Sequence, residues 1–272
     1  MSEEPEDELP ASLAAAWGQR RRPQRGPRPG LTLERIVAAA VSVAASEGLS
    51  AVSMSRVATA LGASTMSLYR YVAAKDELLA LMLDQATGAP PPTPSDVEGW
   101  RAGLTHWASS MRSRMREHPW VAHLPISGPP ITPRQIEWLE AGLTHLAETR
   151  LAAGEKLSTI MLVSGYVWRE STLEADIMAA MKDNKWLRLT LNYGATLAKL
   201  IDEHRFPEVN QLVRSTAFDE SDDPDAEFTF GLNRILDGVD QLIQSRDGAT
   251  AASPPAKRRA DTGPRPGRRR SR

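Results

Sequence analysis

SMSRVATALGASTMSLYRY, residues 53–71, is the stretch from which the rest of the chain is best understood. Its first half repeats apolar side chains at helical spacing, with Met54, Val57, Ala58 and Leu61 on one face and Ser53 placed to cap the N-terminus. Gly62 follows the last of them, where a left-handed residue closes a helix and a side chain would be strained. Ser64 stands where it can cap a second helix. In that helix Leu68, Tyr71 and Val72 share a face, while Met66 and Arg70 lie roughly opposite, flanked by Ser67 and Tyr69. One face packs and the other is polar and exposed. Small hydroxyl side chains in the first turn permit close approach, and a phenol and a guanidinium follow, a combination suited to a helix entering a DNA major groove. The competing reading is an ordinary helical hairpin with Tyr69 and Tyr71 as core aromatics. The combined spacing argues against it.

Leu61-Gly62-Ala63-Ser64, then Leu68-Tyr69-Arg70-Tyr71-Val72, then Lys75 with Leu78 and Leu79, resembles the TetR family of bacterial repressors over roughly residues 31–86. The resemblance implies an all-α protein, with an N-terminal three-helix helix-turn-helix domain and a C-terminal helical bundle for ligand binding and dimerisation. It also implies roles: Ser53, Ser64, Tyr69 and Lys75 fall where phosphate contacts lie, and Thr65, Met66, Ser67 and Arg70 fall where residues face the bases. Arg70 is the best specificity candidate, because a bidentate arginine on guanine is worth about 1–3 kcal/mol of discrimination. A phosphate contact is its alternative, since half or more of protein–DNA hydrogen bonds go to the backbone.

Composition narrows the remaining classes. At 272 residues with a hydrophobic share of 41% and few aromatics, the chain can build one or two helical domains with a substantial core. The longest apolar run, Ile36 to Ala45, is too short for a bilayer and reads as a buried helix. The first eight residues carry Glu3, Glu4, Glu6, Asp7 and Glu8, so no secretory signal is expected and the cytoplasm is the expected compartment. With no cysteine there is no disulfide framework, thiol nucleophile or cysteine zinc site. A net charge of −1 conceals a segregation: Arg20, Arg21, Arg22, Arg25, Arg28 and Arg35 gather just before the helix-turn-helix, and acids cluster at the N-terminus and from Asp219 to Glu227.

In order along the chain, residues 1–30 read as a disordered arm, acidic and then Arg/Pro-rich, either lying on DNA or merely solvated. Thr32 to Glu47 is the supporting helix, capped by Thr32, closed by Gly48, with Ile36, Val37, Ala40, Val41 and Ala44 inward. After the recognition helix, a turn at residues 73–76 leads into a helix carrying Leu78, Leu79, Met82 and Leu83. The Pro-rich stretch 87–95 is the domain boundary. Residues 96–246 read as a helical bundle with helices over 96–117, a short segment at Trp120, 133–151, 155–181, 184–204, 208–217 and 225–246. Residues 247–272 read as a disordered basic tail.

The helix over 225–246 carries Phe228, Leu232, Ile235, Leu236, Val239, Leu242 and Ile243 in one stripe. The family resemblance makes it and the helix over 155–181 the dimerisation helices; intramolecular core is the other reading of the stripe, since both are apolar. Trp100, Trp107, Met111, Trp138, Met161, Tyr166 and Trp168 are the candidates for an effector cavity, again against a plain-core alternative, and as a group they point to a small apolar, aromatic ligand. His106, His118, His123, His145 and His204 lack metal-ligand spacing, so no metal and no cofactor is expected. The expected function is a homodimeric regulator, a repressor released from a palindromic operator by that ligand. A DNA-binding regulator without a small-molecule ligand is the runner-up. An all-helical enzyme is the distant alternative, lacking any phosphate loop or paired-acid motif.

Overall fold

A computed structural model of the chain describes residues 9–19, 30–125, 128–183, 193–215, 218 and 223–251. Among them the regular structure is helical, with no strand. The helices are α1 Ala11–Ala16, α2 Leu33–Glu47, α3 Met54–Leu61, α4 Thr65–Tyr69, α5 Lys75–Thr87, α6 Gly99–Glu117, α7 Pro133–His145, α8 Ala153–Asp183, α9 Tyr193–Leu200, α10 Pro207–Arg214 and α11 Pro224–Ala251. Short 3-10 turns occupy Leu49–Ala51 and Pro119–His123.

The first four of the expected local devices are all present. Thr32 Oγ1 accepts from Arg35 N (3.2 Å), Ser53 Oγ from Arg56 N (3.1 Å) and Ser64 Oγ from Ser67 N (3.2 Å), each satisfying an amide at a helix start. Gly62 is left-handed at φ 62°, ψ 32°, and its amide and that of Ala63 bond back to Thr59 O and Ala58 O, a Schellman closure. Around these caps Ile36, Val52, Val57, Leu68, Val72, Leu78 and Met82 are completely buried, each contributing about 1.5–3 kcal/mol by leaving water. Val43, not Val41, completes the inward face of α2: Val41 is only half-buried at its margin. α4 is shorter than the apolar spacing suggests, since Tyr71 N and Val72 N both close on Leu68 O and tighten the chain into a turn.

Two expectations of disorder are corrected. Within the supposed arm, residues 11–16 are helical: Leu13 is buried, Ser12 Oγ donates to Glu77 Oε2 on α5 (2.6 Å), and Trp17 Nε1 donates to Ile131 O (2.9 Å). The apolar run Leu9 to Trp17 lies between acidic and arginine blocks, and averaging over thirty residues conceals it. At the other end α11 continues past residue 246 to Ala251, because Ile243 is buried and both Arg246–Glu155 and Arg150–Asp247 pair across to the start of α8. Residues 1–8 and 20–29 of the arm and 252–272 of the tail lie outside the described residues.

The body is built from α6, α7, α8 and α11. α7 ends at His145 rather than 151, and the chain then turns through bonds to Leu143, Thr144 and Leu146 carbonyls while Leu146 and Leu151 stay buried. α8 and α11 run antiparallel, with Glu155 beside Arg246 at one end and Glu174 sharing arginines with Asp225 at the other. Arg112, 6% exposed on the inner face of α6, bonds both acids (3.3 and 2.9 Å) and lies 4.4 Å from the Phe228 ring centroid. Of the helix expected over 184–204, residues 193–200 are described as α9; residues 184–192 lie outside the described set.

Candidate nucleic-acid interface and effector body

α4 presents two opposed faces. Leu68 is fully buried, whereas Met66 is 74% and Tyr69 44% exposed, with Arg70 and Lys75 exposed as well. A thioether and a phenol are thus presented to solvent on the side of α4 opposite Leu68. Arg70 and Lys75 form no ion pair among the described residues, while the nearby Arg56 is engaged: its Nε donates to Glu47 Oε2 (3.0 Å) and holds that carboxyl below the usual range. Arg70 and Lys75 stand at and just past the C-terminal end of α4. Ser64, Ser67 and Thr65 line its first turn; Ser64 and Ser67 share a hydroxyl–hydroxyl bond of 2.8 Å, and Thr65 and Ser67 are half-buried. Ser53 is half-buried, its hydroxyl used by the α3 cap and by Ser55 (3.1 Å). All eight DNA candidates thus lie on or beside α3–α5.

This head is wired to the body through α5. Asp84 Oδ1 accepts from Arg134 N at the start of α7 (2.7 Å), and Gly88 O, just past α5, accepts from Trp138 Nε1 (3.0 Å). α1 adds a second bridge, bonded to α5 through Ser12 and to the segment before α7 through Trp17. These bonds join α1 and α7 to α5, the helix that follows the recognition segment.

The seven cavity candidates do not meet at one place. Trp107 and Trp138 pack edge-to-face at 6.2 Å, Trp107 Nε1 donating to Trp138 O (2.9 Å), so both donors are used inside the protein. Gly142 makes room for Ile160 of α8 and Trp107: a Cβ there would stand 2.9 Å from Ile160 Cδ1 and 3.1 Å from Trp107. Tyr166 stacks on Phe228 (5.5 Å) and donates to Phe228 O (3.1 Å); burial raises its pKa. Met111 and Trp168 are half-buried against the core. Met161 is 54% exposed, on the outer side of α8, and is not a cavity residue. Trp100 borders an open groove of about 720 Å³ with His145, Glu148 and Arg150. Burial, and then the neighbouring His106, holds the His145 imidazole below its usual pKa.

The supposed dimerisation stripe divides in two. Phe228, Leu232 and Leu236 are buried inside the single chain, facing α6 and α8, because α11 turns that face inward. Ile235 and Leu242, half-buried, and Val239, itself buried, border a second groove, about 530 Å³, with Gly238 of α11 and Leu162, Ser158 and Gly154 of α8. Residues that sequence reasoning passed over are Arg112, Trp120, Ser171 and the α1 helix. Arg112 was accessible to reasoning, since it falls on the same helical stripe as Leu104, Ala108 and Met115.

Among the described residues no cluster of histidine, cysteine and acidic side chains could hold a metal, and no helix is long and apolar enough to cross a membrane. A capped helix-turn-helix with an exposed basic recognition face, wired to a helical body, defines a DNA-binding regulator. Residues 36–82 match the family profile of bacterial regulatory proteins of the tetR family, and residues 93–243 that of the tetracyclin repressor-like C-terminal domain. The chain belongs to the TetR family of transcriptional regulators. It is 38% identical over 251 residues to the HTH-type transcriptional repressor DrrR1 of Streptomyces coeruleorubidus, covering 90% of each chain. It also resembles crystal structures of ActR from Streptomyces coelicolor. With the (S)-DNPA complex the TM-score is 0.64 at 26% identity, covering 80% of this chain and all of that one; with the actinorhodin complex it is 0.65 at 26% identity, covering 78% and 96%.

Proposed function

We propose that the chain is a homodimeric repressor, acting in the cytoplasm, that grips a palindromic operator and is released by a small apolar, aromatic effector bound in its body. The observation that carries this reading is the α4 face: Met66, Tyr69 and Arg70 exposed on a helix whose other side is fully buried. In this reading Thr65, Met66, Ser67 and Arg70 face the bases, and Ser53, Ser64, Tyr69 and Lys75 hold phosphates. Repression is the action named for DrrR1, and small-molecule complexes are described for ActR.

The second copy docks on the groove between α8 and α11. Leu157, Met161, Gly165, Arg169, Leu173 and Ile177 recur every fourth residue along the exposed side of α8, a ridge that can interdigitate with its own copy. Gly165 and Gly238 have no side chain and open space beside them, which lets a partner helix approach closely. Dimerisation spaces the two recognition helices one helical turn of DNA apart, about 34–36 Å. An effector that prefers another spacing lowers DNA affinity by the ratio of its affinities for the two states, and DNA weakens the effector equally. The test is a thermal-shift screen of aromatic metabolites followed by operator titration with each stabilising hit. The reading expects at least one hit to weaken operator binding reciprocally; hits that stabilise the protein and leave operator affinity unchanged contradict it.

A further inference from the structure

The interior of the body holds buried polar atoms that the fold leaves unpaired: Trp120 Nε1, Ser171 Oγ and, on α6, His106 Nε2. Trp120 is 7% and Ser171 5% exposed, and neither Trp120 Nε1 nor Ser171 Oγ has a hydrogen-bond partner among the described residues. Both cases stand out against their neighbours. Trp17, Trp107 and Trp138 each donate to a backbone carbonyl. On α8 itself the hydroxyls of Thr159, Ser164 and Thr172 bond the carbonyl four residues back at 2.8, 2.7 and 2.8 Å, whereas Ser171 forgoes that bond although it lies on the same helix. Burying an unpaired donor costs stability, and such exceptions call for a cause.

The two residues lie on elements held against each other. Thr172 Oγ1 donates to Ala122 O (3.1 Å), which seats the Pro119–His123 turn on α8 at the level of Ser171. Met115, Val121, Leu124 and Val167, all buried, belong to the same hydrophobic core. An indole N–H can only donate, and a serine hydroxyl can donate as well, so the pair is complementary to an acceptor. A carbonyl oxygen has two lone pairs and takes both bonds; an ammonium group would face donors in apolar surroundings and lose its hydration.

We infer that Trp120 and Ser171 form the polar end of the effector site, recognising a carbonyl oxygen on an otherwise apolar, ring-bearing ligand that enters between the 3-10 turn and α8. This rests on the ligand-released reading above and specifies its ligand class. The oxygen satisfies both orphaned donors at once, so binding removes a penalty that the free protein carries.

The test uses the full-length protein and a matched pair of probes, fluorenone and fluorene, which share a three-ring frame and differ by one carbonyl. Dissociation constants for both are measured by tryptophan fluorescence on wild type, Ser171→Ala and Trp120→Phe, with retained DNA affinity as the control for folding. The ratio of fluorene to fluorenone constants is expected to fall about 2- to 10-fold in each variant, the worth of one hydrogen bond, with fluorene binding itself unchanged for Ser171→Ala. Both probes binding with an unaltered ratio would overturn the subsite and leave a ligand-binding body. Neither probe binding would overturn the ring-bearing effector class on which the subsite depends. The ligand-free protein supplies a probe-independent check: Ser171→Ala is expected to keep or raise Tm, and a fall beyond about 4 °C, roughly the worth of one structural hydrogen bond in a chain of this size, would assign the hydroxyl to a fixed structural bond and overturn the inference.

Discussion

Replacing Arg70 and Lys75 separately by alanine distinguishes base reading from phosphate holding within one short segment. Both side chains are exposed and free of ion pairs among the described residues, and Leu68 and Val72 beneath them stay buried, so neither change should alter Tm. All of the loss then appears on DNA. A dimer carries each substitution twice. For Arg70→Ala, two guanine contacts at about 1–3 kcal/mol each remove roughly 2–6 kcal/mol, about 30-fold to 10⁴-fold, from the operator and little from random duplex. For Lys75→Ala, losing one phosphate contact per half-site lowers the log–log salt slope by about 2 and weakens all duplexes alike, so its deficit shrinks roughly tenfold between 50 and 200 mM salt. Fluorescence anisotropy on operator and random duplexes across that salt range reads both effects. Equal losses on both duplexes for both variants would refute the division of roles.

Three other perturbations address separate parts of the fold. Leu162→Glu places a charge in the α8–α11 groove and should convert the protein to monomers in sedimentation velocity at micromolar concentration; a persistent dimer would move the interface elsewhere. Leu13→Ala should cost about 2 kcal/mol or more and lower Tm by several degrees, because that side chain is buried in α1; an unchanged Tm would mean that the arm is not docked. The hydrogen bond from Arg116, then its charge, lowers the pKa of Asp225, so the stability this contributes is present above the ordinary carboxylate range and is lost as pH falls through the lowered value. Urea titrations should therefore show wild type more stable than Asp225→Asn at pH 6, with the gap closing toward pH 2; a gap independent of pH would contradict the assignment.

The head was legible because each of its devices is local. Thr32, Ser53, Gly62 and Ser64 act within four residues, and a cap or a left-handed glycine can be read from nearest neighbours. The body was legible only as helices. Whether the Phe228–Leu242 stripe faces its own core or a partner depends on how α11 is rotated against α6 and α8, and that rotation is set by long-range contacts such as Arg112 with Glu174 and Asp225. Side-chain type grouped Met161 with Trp107 and Trp138, yet Met161 is exposed and the two tryptophans are buried, since apolar type does not specify direction. The α1 helix escaped because its six residues lie inside a strongly charged segment. Trp120 and Ser171 carry no sequence signal at all: their character comes from the bonds they do not make.

The central claim is that two copies of α4 read one operator with two-fold symmetry. Selection of bound duplexes from a random DNA library by the full-length protein at physiological salt, followed by sequencing, tests it most directly. The account predicts an enriched inverted repeat whose half-site centres lie about one helical turn, roughly 10 base pairs, or a multiple of it apart. Salt-sensitive binding without an enriched sequence would transfer the DNA contact to the arginine-rich ends of the chain and contradict the recognition role of Arg70 and its neighbours.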